Sequence, residues 1–214
     1  MIHLVLPLSL LFAPMPHVVS TCTEPGKARW GAKSNVPKLS SIVRAKRVAL
    51  KDLMALDDPD PAPKRSQPAT GLIMGARANA LEVHEGQILR TRGYLRLVAT
   101  EDNDCEYHIQ LTLTPRSSRS FIVEVAKDDA ASIRSTFVRG RAKEVRAWIR
   151  DELFAGNEPP GSGRLISPPV FVEVVGQLFF DSAHGTKDKR GKAGMPAATR
   201  WELHPVLAIA RTPG

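Results

Sequence analysis

Residues 105–126, CEYHIQLTLTPRSSRSFIVEVA, contain two alternating segments that a short polar turn separates. Between Tyr107 and Leu113, every second residue is apolar, and polar residues occupy the positions between them. From Phe121 to Val125 every second residue is again apolar, so Phe121, Val123 and Val125 share one face. In an extended chain successive side chains point to opposite faces, so each segment has one apolar face. The stretch therefore predicts two adjacent β-strands that share a core.

Two further elements flank this pair of strands. The segment Gln87–Thr100 alternates in part and predicts a long first strand, with a bend or a bulge at Gly93. After the third strand the period becomes helical, because apolar residues recur every three or four positions as far as Phe154. Asp128 or Asp129 is a suitable N-terminal cap for this helix.

Two more strands follow the helix. Val170–Asp181 is rich in β-branched residues, and Arg200–Ala210 is apolar, with a bulge or an end of pairing expected at Pro205. Residues 182–199 between them are polar, basic and glycine-containing, which predicts a mobile loop. The order of three strands, one helix and two strands is that of the OB-fold, a five-stranded Greek-key barrel. We therefore predict a mainly β, OB-fold-like barrel over residues 85–214, with its helix between strands 3 and 4. Another small barrel or sandwich is the alternative.

The chain before the barrel divides into a signal-like segment and an arm. Residues 1–20 contain a mostly apolar run of signal-peptide length, and small residues allow cleavage before Thr21. No basic residue precedes the run and three prolines interrupt the segment, so a disordered arm or a mis-assigned start is the alternative. Residues 21–84 predict a flexible, largely irregular basic arm with a short amphipathic helix near 39–56. We expect an exported protein, periplasmic or extracellular.

The composition and the missing motifs exclude several classes of protein. The chain of 214 residues is 43% hydrophobic, and it has no internal apolar run long enough to span a membrane. Two cysteines make neither a disulfide framework nor a four-cysteine zinc site, and Cys22 and Cys105 are either paired or free. There is no glycine-rich phosphate loop, no Gly-x-Ser-x-Gly elbow and no His-Glu-x-x-His motif. Residues 1–84 hold 11 basic and 6 acidic residues, so most of the net charge of +8 lies outside the barrel.

Four motifs of the barrel segment occur in a recognisable order. They are Asp104–Leu111 (DCEYHIQL), Phe121–Val125 (FIVEV), Val174–Gly185 (VVGQLFFDSAHG) and Trp201–Val206 (WELHPV). Together they resemble a group of uncharacterised, often exported bacterial proteins with the pattern D-x-x-Y-H, I-x-E, G-x-x-F-F-D-x-x-H-G and E-L-H-P-V. The resemblance covers about residues 85–210 and implies an OB-like fold and export, but no activity. The sequence departs from the pattern in two places. Cys105 and Glu106 lie in a stretch that is expected to read simply Asp-Tyr, and the loop after His184 is unusually basic.

Histidines in these motifs lie close to acidic residues in the sequence. Residues two apart on a strand share a face. This brings Glu106 and His108 together on the second strand, and Glu202 and His204 together on the fifth. Imidazole and carboxylate groups are common metal ligands and common acid–base pairs. In an OB-fold the loops after strands one and four border the ligand face. The candidate ligand-binding residues are Glu106, His108, Asp181, His184, Glu202 and His204. The candidates for a catalytic site are Asp102, Asp104, His108 and His184.

A structural role for the histidines is the stronger interpretation. Buried histidines commonly hydrogen-bond a carboxylate or a carbonyl and so fix a strand end or a loop. Because the third strand separates the second from the fifth, His108 and His204 are expected about 10 Å apart, which argues against shared metal ligation. We therefore predict no metal and no cofactor.

The predicted helix carries a basic stripe. Arg139, Lys143, Arg146 and Arg150 recur at spacings of four, three and four residues, so they share one face. Such a stripe is a hypothesis for contact with phosphates. It is not favoured, because acidic residues interrupt the helix and the aromatic residues follow the apolar phase of their strands instead of forming stacking platforms.

These observations together favour an exported OB-fold-like binding or structural module without catalysis, with an unknown ligand or protein partner. A metal-dependent hydrolase that uses Asp and His residues at the barrel edge is the first alternative. A nucleic-acid-binding OB domain is the second.

Overall fold

A computed structural model describes residues 40–60, 78, 80–129, 133, 135–184 and 190–213. Its elements are α1 (Ser40–Val43), β1 (Lys46–Arg47), α2 (Leu50–Leu53), β2 (Ile88–Thr100), β3 (Tyr107–Thr112), β4 (Ser120–Val125), α3 (Thr136–Phe154), β5 (Arg164–Phe180) and β6 (Ala197–Arg211). The signal-like segment and much of the predicted arm lie outside the described residues. In the described ranges, no helix combines the length and the apolar character that crossing a bilayer requires.

Five long strands close into a barrel. β2 pairs antiparallel with both β3 and β5, as a long first strand of a small barrel must. β3 pairs with β4 and β5 with β6, again antiparallel, and a parallel pairing of β4 with β6 completes the closure. Helix α3 connects β4 to β5, the third and fourth strands of the barrel. This mainly β, OB-fold-like architecture confirms the fold predicted from the sequence.

The alternation in β3 and β4 supplies much of the barrel core. The apolar phase of both strands is fully buried, from Tyr107 to Leu111 and from Phe121 to Val125. Helix α3 packs its apolar stripe against the same core. Each large side chain removed from water in this way stabilises the fold by roughly 2 kcal/mol. The stripe of α3 consists of Val138, Ala142, Val145 and Ile149.

Helix α3 begins later than its predicted caps. Its N-cap is Ser135, whose side chain accepts a hydrogen bond from the backbone N–H of Val138 at 3.2 Å. Asp128 lies instead 3.6 Å from the guanidinium of Arg146, and Asp129 pairs with Lys127. The two aspartates are thus used in ion pairs before the helix starts.

Gly93 does not mark the bulge of β2. The register shifts between Leu95 and Leu97, so the bulge lies farther along the strand. A Cβ at Gly93 would lie 2.5 Å from Leu50 Cδ2. The glycine therefore makes room for α2 to pack on the barrel, and the bulge predicted at this position is wrong.

The segment before the barrel is part of its core. The single helix predicted near 39–56 is wrong, because α1 and α2 are separate turns on either side of strand β1. β1 pairs in parallel with the start of β2, whose edge it covers. Leu50, Leu53 and Leu56 are buried in the main core. The globular unit therefore extends N-terminal to residue 85.

Candidate functional site

The barrel carries a polar cluster on the outer face of β3, β4 and β6, the face that points away from the barrel core. On β3, β4 and β6 the residues that alternate with core residues point to this face, and most are buried. His108 pairs with Glu124 across the ladder, and β4 lies between β3 and β6. Acidic residues of two adjoining loops border the same face. We call the following residues the carboxylate–histidine cluster: Glu101, Glu106, His108, Glu124, Asp181, Glu202 and His204.

His204 lies at the centre of this cluster and is fully buried. Its Nε2 is 3.2 Å from Glu106 Oε1, and its Nδ1 is 3.1 Å from Glu124 Oε2. Glu202 Oε1 lies 3.5 Å from the same Nδ1. On the other side, His108 Nδ1 is 3.3 Å from Glu124 Oε1. One carboxylate, that of Glu124, therefore bridges the two histidines.

A bulge in β6 directs His204 into the cluster. The β5–β6 register passes from Leu178–Leu203 to Gly176–Val206, so β6 holds an extra residue at this point. Gly176 permits β5 and β6 to approach closely here, since a Cβ at this position would lie 2.9 Å from Leu203 Cβ. Bulges re-aim side chains next to functional sites. The bulge predicted from the proline that follows His204 is confirmed.

Residues 190–196 pack across the polar face. The side chain of Gln110 holds them, because its Oε1 accepts from the backbone N–H of Lys192 at 2.6 Å and its Nε2 donates to the Met195 carbonyl at 2.7 Å. The Met195 side chain is buried against the C-terminal half of β2. The mobile loop predicted for residues 182–199 is therefore wrong for this segment, whose backbone is hydrogen-bonded to a buried amide.

Arg190 and Lys192 bring permanent positive charge to the cluster. Arg190 forms an ion pair with Glu202, and its Nε lies 3.3 Å from Asp181 Oδ2. Lys192 Nζ is 3.3 Å from Glu101 Oε1. Burial alone would lower the pKa of Arg190, but the charges of Glu202 and Asp181 outweigh burial and raise it. The segment that covers the site is thus also held by charge.

Asp181 links the cluster to His184. The His184 ring contacts Asp181 Oδ2, and the side chain of His184 is 51% exposed. Burial alone would raise the pKa of Asp181, but the charges of Arg190 and His184 hold it below the ordinary value of an aspartate. Asp181 is therefore ionised at neutral pH.

Among the described residues, the carboxylates of the cluster outnumber the permanent cations that contact it. It contains five carboxylates, whereas Arg190 and Lys192 are the permanently charged cations that the described residues place against it. His108 and His204 add positive charge only when protonated. Burying unbalanced charge is costly, so the site favours a ligand that carries positive charge.

The structure joins all six predicted ligand-binding residues into one network. They are Glu106, His108, Asp181, His184, Glu202 and His204, linked through Glu124 and Arg190. His184 is the peripheral member. Glu106, Glu202 and His204 are the most deeply buried members.

The residues proposed for a hydrolase are not brought to one point. Asp102 is exposed in the turn after β2, and Asp104 accepts a hydrogen bond from the backbone N–H of Glu106 at 3.2 Å. In the described part of the chain, the acid and histidine side chains whose ligand atoms all lie within 4.8 Å of one another are Glu106, Glu124 and His204. This group contains none of Asp102, Asp104, His108 and His184.

The basic stripe of α3 is largely used in contacts within the domain. Arg146 is buried, and its guanidinium lies 3.6 Å from the centre of the Tyr107 ring. Arg150 donates to the Tyr107 hydroxyl and to Glu158. Burial raises the pKa of Tyr107 to about 12, so the hydroxyl stays neutral in this arrangement. The stripe predicted to contact nucleic acid consists of Arg139, Lys143, Arg146 and Arg150. Lys143 is exposed to solvent, whereas the three arginines make contacts within the domain.

Glu124 is the residue that sequence reasoning missed. It shares the polar phase of β4 and occupies the strand between those of His108 and His204. The strand that separates the two histidines carries the acidic side chain that links them. Arg190 and Lys192 were missed as well, because their loop gave no periodic signal.

Comparison of the chain with protein-family models, with curated protein sequences and with solved structures finds no match. The resemblance to exported bacterial proteins therefore stays a prediction.

Proposed function

We propose that this protein is a non-catalytic, OB-type binding module whose ligand site is the carboxylate–histidine cluster. The observation that carries the proposal is a largely buried cluster of five carboxylates on the polar face of the barrel, which two permanent cations of the described residues contact. A network that served stability alone would be expected to balance its charges, because breaking the balance in a buried site costs several kcal/mol. Excess charge held in place by the fold is typical of a binding site.

The burial of the central groups supports binding over catalysis. The side chains of Glu106, Glu202 and His204 are at most 2% exposed. A catalytic group must reach its substrate, whereas a small ion needs only the side chains that surround it. We therefore favour the binding module over the hydrolase.

The charge of the same face argues against a nucleic-acid ligand. OB domains that bind nucleic acid track the phosphate backbone with a positively charged groove. Here Glu106, Glu124 and Glu202 occupy the polar face, and residues 190–196 pack across it. Phosphates would be repelled by this surface.

A single substitution distinguishes a ligand site from a network of balanced ion pairs that only stabilises the fold, which we call a structural latch. In chelator-treated, ligand-free protein, Glu106→Gln removes one negative charge from an overcharged cluster. We expect the free energy of unfolding in urea to stay the same or to rise by about 1 kcal/mol. If Glu106 were one half of a balanced latch, the same change would lower it by roughly 3–5 kcal/mol, which would contradict the proposal.

Glu158→Gln is the matched control for this experiment. Glu158 contacts Arg146, Arg150 and the Tyr107 hydroxyl, so its charge is matched by arginines outside the cluster. This variant is expected to lower the free energy of unfolding by about 1 kcal/mol, since Glu158 is more than half exposed. The prediction is that Glu158→Gln lowers the free energy of unfolding and Glu106→Gln does not.

We also propose that the protein is exported and cleaved before Thr21. The buried Cys105 is disulfide-bonded, and such bonds persist in oxidising compartments. Cys22, the second cysteine of the chain, lies outside the described residues. Expression of the full chain in a bacterial host is expected to yield periplasmic protein whose intact mass begins at Thr21 and whose Cys105 resists alkylation until reduced. Cytoplasmic protein that retains Met1 and has a reactive thiol would contradict export.

A further inference from the structure

We propose that the ligand of this module is one divalent transition-metal ion of the zinc type, held by Glu106, Glu124 and His204. The inference rests on the proposed function and names its ligand. In this site the metal joins β4, β6 and the loop that enters β3.

The distances among the three side chains suit one metal ion. Glu106, Glu124 and His204 each present one ligand atom, and these atoms lie within 4.8 Å of one another. Two ligand atoms bonded to one metal at about 2.0–2.2 Å lie at most about 4.4 Å apart. The Glu106 Oε1 to His204 Nε2 distance of 3.2 Å already falls within that limit. Glu124 Oε2 faces the other ring nitrogen, Nδ1, at 3.1 Å, so coordination of one ion by all three residues requires the imidazole or the Glu124 carboxylate to move toward the shared position.

A second observation points independently to a ligand. Glu202 is 1% exposed, and its Oε1 accepts no hydrogen bond from the described residues. This oxygen faces the His204 ring, with its Nδ1 at 3.5 Å. A buried carboxylate oxygen without a donor is costly, and a cation beside His204 would relieve the cost.

His108 supports the same site from the far side of Glu124. Its Nδ1 lies 3.3 Å from Glu124 Oε1, while its buried Nε2 has no hydrogen-bond partner in the part of the chain that the structure describes. A histidine in this place orients the carboxylate, as outer-shell partners of metal ligands do. It also leaves the other oxygen of Glu124, Oε2, directed at His204.

The donor set indicates the class of metal. Two carboxylates and one imidazole are ligands for zinc and similar first-row divalent ions, whereas calcium and magnesium prefer oxygen ligands alone. A dication together with Arg190 and Lys192 nearly balances the five carboxylates of the cluster. The metal thus offsets most of the charge excess, among the described residues, on which the proposed function rests.

Calorimetric titration of the chelator-treated full chain with Zn²⁺ tests the assignment. We expect one ion per chain, and we expect Glu124→Gln to weaken binding by about 100-fold. Glu158→Gln is the matched control, because Glu158 is a carboxylate outside the carboxylate–histidine cluster, and the affinity of this variant should stay within about threefold of the parent. Circular dichroism of the metal-free variants establishes that each is folded.

Co²⁺ provides a second readout that does not depend on affinity. Its d–d absorption band reports the ligands around the ion, and both Glu106→Gln and Glu124→Gln are expected to change that band. Binding that is absent, that exceeds one ion without saturation, or that neither substitution alters overturns the metal assignment. If metal binding fails while metal-free Glu106→Gln keeps its stability, the cluster is a site for another cation and the proposed function stands. If Glu106→Gln unfolds the metal-free protein, the metal assignment and the proposed function are both wrong.

Discussion

Replacing Trp201 with alanine is expected to lower the free energy of unfolding by about 4 kcal/mol, the range found when large aromatic side chains are removed from cores. Trp201 is fully buried, and its ring packs on Phe180 with the ring centres 5.0 Å apart. Its Nε1 donates to the Asp57 carbonyl at 2.7 Å. The substitution therefore opens a cavity in the barrel and releases the segment that precedes it. Urea unfolding followed by circular dichroism measures the loss.

Trp201→Phe is the control that separates these two effects. Phenylalanine keeps most of the packing against Phe180 but has no donor for the Asp57 carbonyl. We expect a loss of about 1–2 kcal/mol, clearly smaller than for alanine. Equal losses below about 1 kcal/mol for both variants would contradict the placement of Trp201 in the core.

Gly191→Ala is expected to lower the free energy of unfolding by about 3 kcal/mol. Gly191 has φ +102°, a conformation that residues with a side chain rarely adopt. An added Cβ would also lie well inside contact distance of the Met195 carbonyl oxygen, which is backbone and cannot swing away. Because Gln110 bonds to Lys192 and Met195, the strain falls on the segment that covers the carboxylate–histidine cluster. Urea unfolding measures the change.

Gly194→Ala tests whether the clash, and not the backbone angle alone, causes this effect. Gly194 also has a positive φ, +72°, but an added Cβ would meet nothing within 4 Å. Its expected cost is only about 1 kcal/mol. If the two alanine variants lost the same stability, the close packing of residues 190–196 on the polar face would be wrong.

The barrel was predictable because its strands alternate and its helix has a different period. Tyr107 to Leu113 shows the alternation directly, and the single helix between the third and fourth strands limits the topology. The N-terminal segment was predicted less well. Its leucines recur at helical spacing, but the open edge of β2 draws Lys46 and Arg47 into a strand. A pairing with a partner distant in sequence overrides local propensity there.

The candidate site was predictable in its residues but not in its geometry. Glu-His pairs two apart on a strand identified Glu106, His108, Glu202 and His204, because such spacing fixes a shared face. The link between them depends on Glu124, which is significant only once β4 is placed between β3 and β6. Arg190 reaches the cluster through a loop, and loops leave no periodic signal in a sequence. Spacing along one strand is local information, whereas assembly across strands is not.

The most direct test of the account is a crystal of the full chain soaked in Zn²⁺, with anomalous diffraction collected on both sides of the zinc edge. The account predicts one strong anomalous peak within about 2.0–2.2 Å of atoms of Glu106, Glu124 and His204. Zinc peaks confined to exposed histidines, with His204 still lying between Glu106 and Glu124 as in the metal-free arrangement, would contradict it.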